Sequence, residues 1–209
     1  MRVKVCGMTR VEDAELALSL GADYLGVIRY EKSPRMATEK QARKLCNSLP
    51  VGKRVCVDVS PTPQELEDHG DLGFDFFQLH FDLDVAMSTV AAWSGIVGRE
   101  ALWLAPRIPP GEPFPENVLA FADTVVIDSY HAQDYGGTGK TGNWLGFAEL
   151  MQRYPDTRFV LAGGLNPENI REAIRISGAR MVDVNSGVEE SPGIKDHAKL
   201  RAFFSALAR

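Results

Sequence analysis

Cysteine is scarce in this chain, and its spacing carries no pattern. Cys6, Cys46 and Cys56 are the three present, an odd count with no Cys-x-x-Cys, which argues against a disulfide framework or a structural zinc and suits a reducing compartment. The four histidines form no His-x-His or HExxH spacing, so no metal site is expected. Basic charge is lacking as well. At a net charge of −5 there is no excess of lysine and arginine to follow a phosphate backbone, and nucleic acid is not an expected partner. Long apolar runs are absent, and the N-terminus enters a strand without an apolar signal core; no membrane contact is expected, and a cytoplasmic location follows. Gly139-Lys140-Thr141 has the tail of a Walker A loop, but its first glycine would fall on Asp134, which excludes nucleotide hydrolysis.

What is present is an even alternation. With 209 residues, 44% hydrophobic and 24% charged, the chain has material for one sizeable core, read as a single domain over residues 1–209. Short apolar runs at Val3 to Met8, Tyr24 to Tyr30, Arg54 to Val59, Phe76 to His80, Ala101 to Leu104, Thr124 to Asp128, Phe159 to Ala162 and Met181 to Asn185 are read as strands. Helical spacing lies between them, near Val11 to Leu20, Thr38 to Ser48, in a helix opened by Ser60-Pro61-Thr62-Pro63, near Val85 to Trp93, Pro115 to Phe121, Trp144 to Tyr154, after Asn166-Pro167, and Lys195 to Leu207. Thr38 with Gln41 has the spacing of a capping box. About eight strand-helix units in this length favour a (β/α)₈ barrel, the TIM-barrel architecture. A doubly wound open sheet is the alternative, but it rarely needs so many evenly spaced units.

In such a barrel, chemistry sits at the C-terminal ends of the strands. Cys6 ends the first strand; strand alternation places Lys4, Cys6 and Met8 on one face and Val3 and Val5 on the other. A strand cysteine is by habit a packed residue, so its neighbours must decide its role. Asp128 closes the apolar run Val125-Val126-Ile127; an acidic residue there can be a helix cap or loop solvator alone, but at the catalytic face it is also the natural place for a general acid opposite Cys6. Lys4 would be buried beside Cys6, and Asp183, on the strand that closes the barrel against the first, is its expected partner. That pair is also expected to bias Cys6 toward thiolate. His80 shares a face with Gln78 and either lines the barrel or packs there by hydrogen bonding. Glycines gather after the late strands: Gly136, Gly137 and Gly139 after the sixth, Gly163-Gly164 after the seventh, and Ser186-Gly187 after the eighth. Glycine in a tight turn can be steric relief alone, but two such loops on the last two strands favour a phosphate site.

Taken together, VKVCGMT at Val3 to Thr9, SPR at Ser33 to Arg35, QLH at Gln78 to His80, GGTGKT at Gly136 to Thr141, AGGLNPENI at Ala162 to Ile170 and DVNSGVE at Asp183 to Glu189 resemble, in order and spacing, the phosphoribosylanthranilate isomerases of tryptophan biosynthesis. The resemblance implies an aldose-ketose isomerase on a barrel, without metal or cofactor, acting on a small phosphosugar by an Amadori rearrangement. It implies Asp128 as general acid, Cys6 as general base and Arg35 as the holder of the anthranilate carboxylate. It further implies the backbone around Gly163, Gly164, Ser186 and Gly187 as the phosphate site, and Gly136 to Lys140 as a mobile cover, with its Gly137 among the substrate-binding residues. His80 is expected among the substrate-binding residues, and a monomer is the simpler expectation, with a weak homodimer the alternative.

Against that family, which usually carries a large apolar residue, asparagine, glycine and serine there, this chain has Arg29, Asp58, Phe81 and Asn185. Arg29 and Asp58 are expected to pair across the second and third strands, and Phe81 to crowd the anthranilate side of the pocket. A diverged phosphosugar isomerase with another amine substituent is one alternative; a non-catalytic phosphosugar-binding barrel is the other.

Overall fold

The structure is a computed structural model, and it describes residues 1–128 and 143–208. Eight parallel strands close into a barrel in sequence order: β1 (Arg2–Val5), β2 (Tyr24–Ile28), β3 (Arg54–Val59), β4 (Phe76–Asp82), β5 (Leu102–Arg107), β6 (Thr124–Asp128), β7 (Arg158–Ala162) and β8 (Met181–Val184). The helices outside them are α1 (Val11–Ser19), α2 (Glu39–Ser48), α3 (Pro63–Gly70), α4 (Met87–Val97), α5 (Trp144–Arg153), α6 (Ile170–Ser177) and α7 (His197–Leu207). The expected (β/α)₈ barrel is what forms, and every expected strand is found.

Local chemistry explains several ends. Thr38 and Gln41 make the anticipated capping box on α2, and Thr62 with Glu65 makes a second on α3, where Pro63 fills the first turn. Two expectations shift. The segment near Pro115 to Phe121 is a short 3-10 stretch, Glu116–Ala120. Asn166-Pro167 opens a turn first, because Asn166 Oδ1 accepts from the backbone N–H groups of Glu168 and Asn169 at 3.0 and 2.9 Å, so α6 starts only at Ile170.

Strand alternation divides the core into two layers. Inside the barrel lie Cys6, Ile28, Val55, Val57, Trp103, Ala105, Val126, Val160 and Met181. Near the strand starts, the rings of Tyr24, Phe76 and Trp103 meet edge-on or tilted at 5.0 to 5.5 Å and fill the lumen. The larger layer lies between strands and helices and holds Val3, Val5, Leu25, Leu79, Trp93, Leu104, Phe147, Leu161 and Phe203. Met8 belongs to this outer layer, against the expectation that it shares the face of Cys6. The reason is Gly7, whose φ of +74° turns the chain and cancels the alternation. A short hairpin, β9 (Glu189–Ser191) with β10 (Ile194–Lys195), follows β8.

Candidate active site

Cys6 enters the lumen just beyond β1, tied to β8 by its N–H donating to the Val184 carbonyl at 2.8 Å. Space for its sulfur comes from across β1 and β2. A Cβ on Gly26 would sit 2.8 Å from Cys6 Sγ and 3.0 Å from Lys4 Cε, so the missing side chain at Gly26 admits both the thiol and the lysine. One level down, Lys4 Nζ donates to Asp183 Oδ2 at 2.7 Å with the lysine fully buried, in the register Lys4 opposite Asp183. The expected ion pair is therefore present. Burial would push Lys4 down, but Asp183 and the Cys6 sulfur reverse it and hold the ammonium charged.

The expected thiolate bias is not the outcome. Burial pushes the Cys6 thiol up, and Lys4 and Lys195 pull it back without cancelling that effect, so Cys6 rests protonated at neutral pH. His80 is driven down to about 4 by burial first and then by Lys4 and Arg107, which makes it a neutral imidazole; its Nε2 lies 2.9 Å from Gln78 Nε2.

A cavity of about 270 Å³ opens above these groups. It is lined by Cys6, Gln78, His80, Asp128, Gly163, Gly164, Asp183, Asn185 and Ser186, with Ile28, Val57, Ala162 and Leu165 as its apolar walls. A thiol, a carboxyl group and a glycine-lined wall thus share one cavity above a buried lysine, the set an acid-base isomerisation of a phosphorylated molecule needs. Among the described residues, no group of three or more His, Cys, Asp or Glu is placed to hold a metal ion.

Comparison with known proteins agrees with this geometry. Residues 3–206 match the family model described as N-(5'-phosphoribosyl)anthranilate (PRA) isomerase. The N-(5'-phosphoribosyl)anthranilate isomerase of Aquifex aeolicus is 35% identical over 205 residues, covering 97% of this chain and 96% of the relative. The crystal structure of phosphoribosyl anthranilate isomerase from Thermotoga maritima superposes with a TM-score of 0.82 at 33% identity, covering 100% of this chain and 98% of that one. A phosphoribosyl anthranilate isomerase in complex with reduced 1-(o-carboxyphenylamino)-1-deoxyribulose 5-phosphate matches at a TM-score of 0.79 and 31% identity, over 100% and 98% of the two chains. The chain belongs to the phosphoribosylanthranilate isomerase family. It is an isomerase.

Within this isomerase, the cavity gathers Cys6, Asp128, His80, Gly163, Gly164 and Ser186, six of the residues singled out from sequence. Gly163 and Gly164 have φ of +96° and +62°, which favours glycine at both. Gly187 sits just behind the wall, where any Cβ would overlap the Leu165 carbonyl oxygen, so the loops after β7 and β8 touch through it. Arg35 stands at the rim and not in the cavity lining. Its guanidinium forks onto Glu189, with Nε 3.0 and 2.9 Å from the two carboxylate oxygens and Nη2 at 2.7 Å. Gly137 and the rest of Gly136 to Lys140 lie outside the described residues.

Three of the family departures prove to face elsewhere. Asp58 does not pair with Arg29; its carboxylate is 2.7 Å from His69 Nε2 on α3, while Arg29 Nη1 donates to the Ala37 carbonyl. Both residues line a separate cavity of about 420 Å³ between the exits of β2 and β3 and the helices behind them. Phe81 does not crowd the pocket either. It is buried in the outer layer with its ring 5.7 Å from that of Trp93, because its position in β4 alternates with the inward-facing Gln78 and His80. A larger hollow of about 500 Å³ lies by the strand starts, around Arg2, Arg158 and Arg180, at the opposite end from Cys6.

Sequence reasoning missed the ionic cluster beside the site. Glu189 accepts from Lys195 Nζ at 3.0 Å and from the Gly193 N–H at 3.1 Å as well as from Arg35, and Lys195 also reaches Asn185. Lys195 looked like the start of the last helix, and only the β9–β10 hairpin turns it inward. Gly26 was missed for a similar reason, since nothing adjacent in sequence shows that Cys6 needs its space.

Proposed function

We propose that the chain converts N-(5'-phosphoribosyl)anthranilate into 1-(2-carboxyphenylamino)-1-deoxyribulose 5-phosphate, the isomerisation step of tryptophan biosynthesis, with Asp128 as general acid and Cys6 as general base. Asp128 gives its proton to the furanose ring oxygen as the bond from that oxygen to C1′ breaks, and the nitrogen lone pair forms the C1′ iminium. Cys6, as thiolate, takes the C2′ proton; the C–H electrons form the C1′–C2′ double bond and the iminium electrons return to nitrogen. The resulting enolamine becomes the ketone by losing the C2′ hydroxyl proton and gaining one at C1′. Each positioned proton transfer contributes about 10²–10⁴-fold.

The observation that carries this reading is that Cys6 and Asp128 line one cavity together with Gly163, Gly164 and Ser186. Those glycines and the turn starting at Ser186 would offer backbone N–H groups to the phosphate, with Gly187 allowing the close approach of the two loops. Arg35 would hold the anthranilate carboxylate, sharing its fork with Glu189, and His80 would contact the substrate as a neutral ring. The iminium brings positive charge next to a buried thiol and so favours its ionisation when it is needed. A barrel working as one unit in the cytoplasm, as a monomer or weak homodimer, fits the same reading; the Thermotoga maritima relative is described as dimeric.

The test follows anthranilate fluorescence as the phosphoribosyl substrate is consumed by wild type, Cys6→Ala and Asp128→Ala. Either substitution is expected to reduce kcat by about 10²-fold or more without lowering the melting temperature. Wild-type kcat/KM is expected to rise with pH through and above neutrality, because the raised Cys6 must lose its proton to act. Full activity in Cys6→Ala, or a rate falling over that pH range, overturns the assignment.

A further inference from the structure

Asn185 stands at the exit of β8 and lines the cavity that holds Cys6. Its amide has two unlike ends, and the structure fixes which faces where. Lys195 Nζ, on a fully buried side chain, lies 3.0 Å from Asn185 Oδ1, 3.3 Å from the Asn185 backbone carbonyl and 3.0 Å from Glu189 Oε1. An ammonium has three donors and no acceptor, and here each donor meets an acceptor. The oxygen of the Asn185 amide must therefore face Lys195, because the reverse orientation would set N–H against N–H in a buried place. On the other side, Gly7 closes the clamp: a Cβ there would stand 2.5 Å from Asn185 Oδ1 and 3.2 Å from Arg35 Cδ.

With the oxygen held between Lys195 and Gly7, the amide NH₂ is the end left for the cavity that Asn185 lines. Its height is set by the sheet. The Cys6 N–H bonds to the carbonyl of Val184, the residue before Asn185, so the thiol and the amide leave adjacent strands at the same level.

We propose that Asn185 is an orienting and specificity-determining residue whose amide NH₂ donates a hydrogen bond to the C2′ oxygen of the substrate, with Lys195 as the positioning residue that locks the amide. The inference rests on Cys6 being the base. The donor holds the C2′ oxygen still while its carbon presents the proton to the sulfur, and it meets the same oxygen as that oxygen becomes the ketone. Substrates without an oxygen at C2′ leave this donor unpaired and are discriminated against.

The experiment compares two ligands on three proteins. The ligands are reduced 1-(o-carboxyphenylamino)-1-deoxyribulose 5-phosphate and its 1,2-dideoxy counterpart, which differ only in the C2 hydroxyl; the proteins are wild type, Asn185→Asp and Lys195→Met. Aspartate keeps an acceptor for Lys195 and removes the donor, so Asn185→Asp is expected to keep its melting temperature while kcat/KM falls about 10–100-fold. Wild type is expected to bind the hydroxylated ligand about 5–10-fold more tightly than the dideoxy one. Asn185→Asp should bind the two alike, and Lys195→Met, which frees the amide to turn, should lose part of the preference with Asn185 still in place. Should Asn185→Asp melt early, Asn185→Ala carries the same comparison. Wild-type preference retained in the donor-less variant, or equal weakening for both ligands, overturns the inference. A wild type that turns over no phosphoribosyl substrate overturns the proposed function instead, and the two failures are told apart by the fluorescence assay.

Discussion

The two faces of the same strands live in different chemistry. Inward, β1, β4 and β8 present Lys4, Gln78, His80 and Asp183, a polar set in which the lysine is paired at 2.7 Å and the ring is kept neutral. Outward, their neighbours Val3, Val5, Leu79, Phe81, Val182 and Val184 pack against helices in an apolar layer. The outer layer packs the strands against the helices, and the inner one carries the polar groups that line the cavity. Where the outer layer turns polar, at Asp58 and His69, the charge is met by a helix residue and stays apart from the thiol. A side chain's parity on its strand thus decides which of the two layers it joins, more than its distance along the chain.

That separation can be broken first at Lys4. Lys4→Met leaves Asp183 buried without its cation and is expected to cost about 3–5 kcal/mol in a denaturant melt, and to lower turnover as well, since Cys6 loses its nearest positive charge. Pairing it with Asp183→Leu should recover much of the stability and none of the activity; recovery of both would show that the inner layer is not specialised. The next largest effect tests the outer layer. Phe81→Ala should destabilise by about 3 kcal/mol through the void left against Trp93, with KM for the anthranilate substrate unchanged. A large change in KM with little loss of stability would place the ring at the pocket and reverse the comparison. The smallest effect sharpens it: Asp58→Asn weakens a buried contact to His69 and should cost about 1–2 kcal/mol, with kcat/KM as in wild type. A loss of activity there would join the two cavities that the strand parity keeps apart.

The sequence made much of the site legible because its signals are local or periodic. Cys6 and Asp128 end apolar runs, and the ends of parallel strands in a barrel meet at one rim. Lys4 was readable as half of a pair because a lysine on a buried face needs a counter-charge and a closed barrel supplies only one neighbouring strand on that side. The glycines after β7 and β8 were readable by position, though the overlap of a Gly187 side chain with the Leu165 carbonyl was not. Met8 was misplaced because period-two reasoning has no knowledge of a positive φ at Gly7. Arg29 and Asp58 were paired by strand adjacency, whereas each reaches a partner behind the sheet, on α3 or the chain before α2, that adjacency does not show.

Composition, period and strand-end residues therefore determined the barrel, the meeting of the Cys6 thiol and the Asp128 carboxyl at one cavity, and the buried ion pair, since these follow from repeating backbone geometry and from the cost of an unpaired charge. Tertiary structure alone decided the rest: the protonated resting thiol, set by the balance of burial against Lys4 and Lys195; the outward turn of Phe81 and Asp58; and the amide of Asn185 held by a lysine ten residues away. Those depend on which groups exclude water from one another, and that is settled only when the chain has closed on itself.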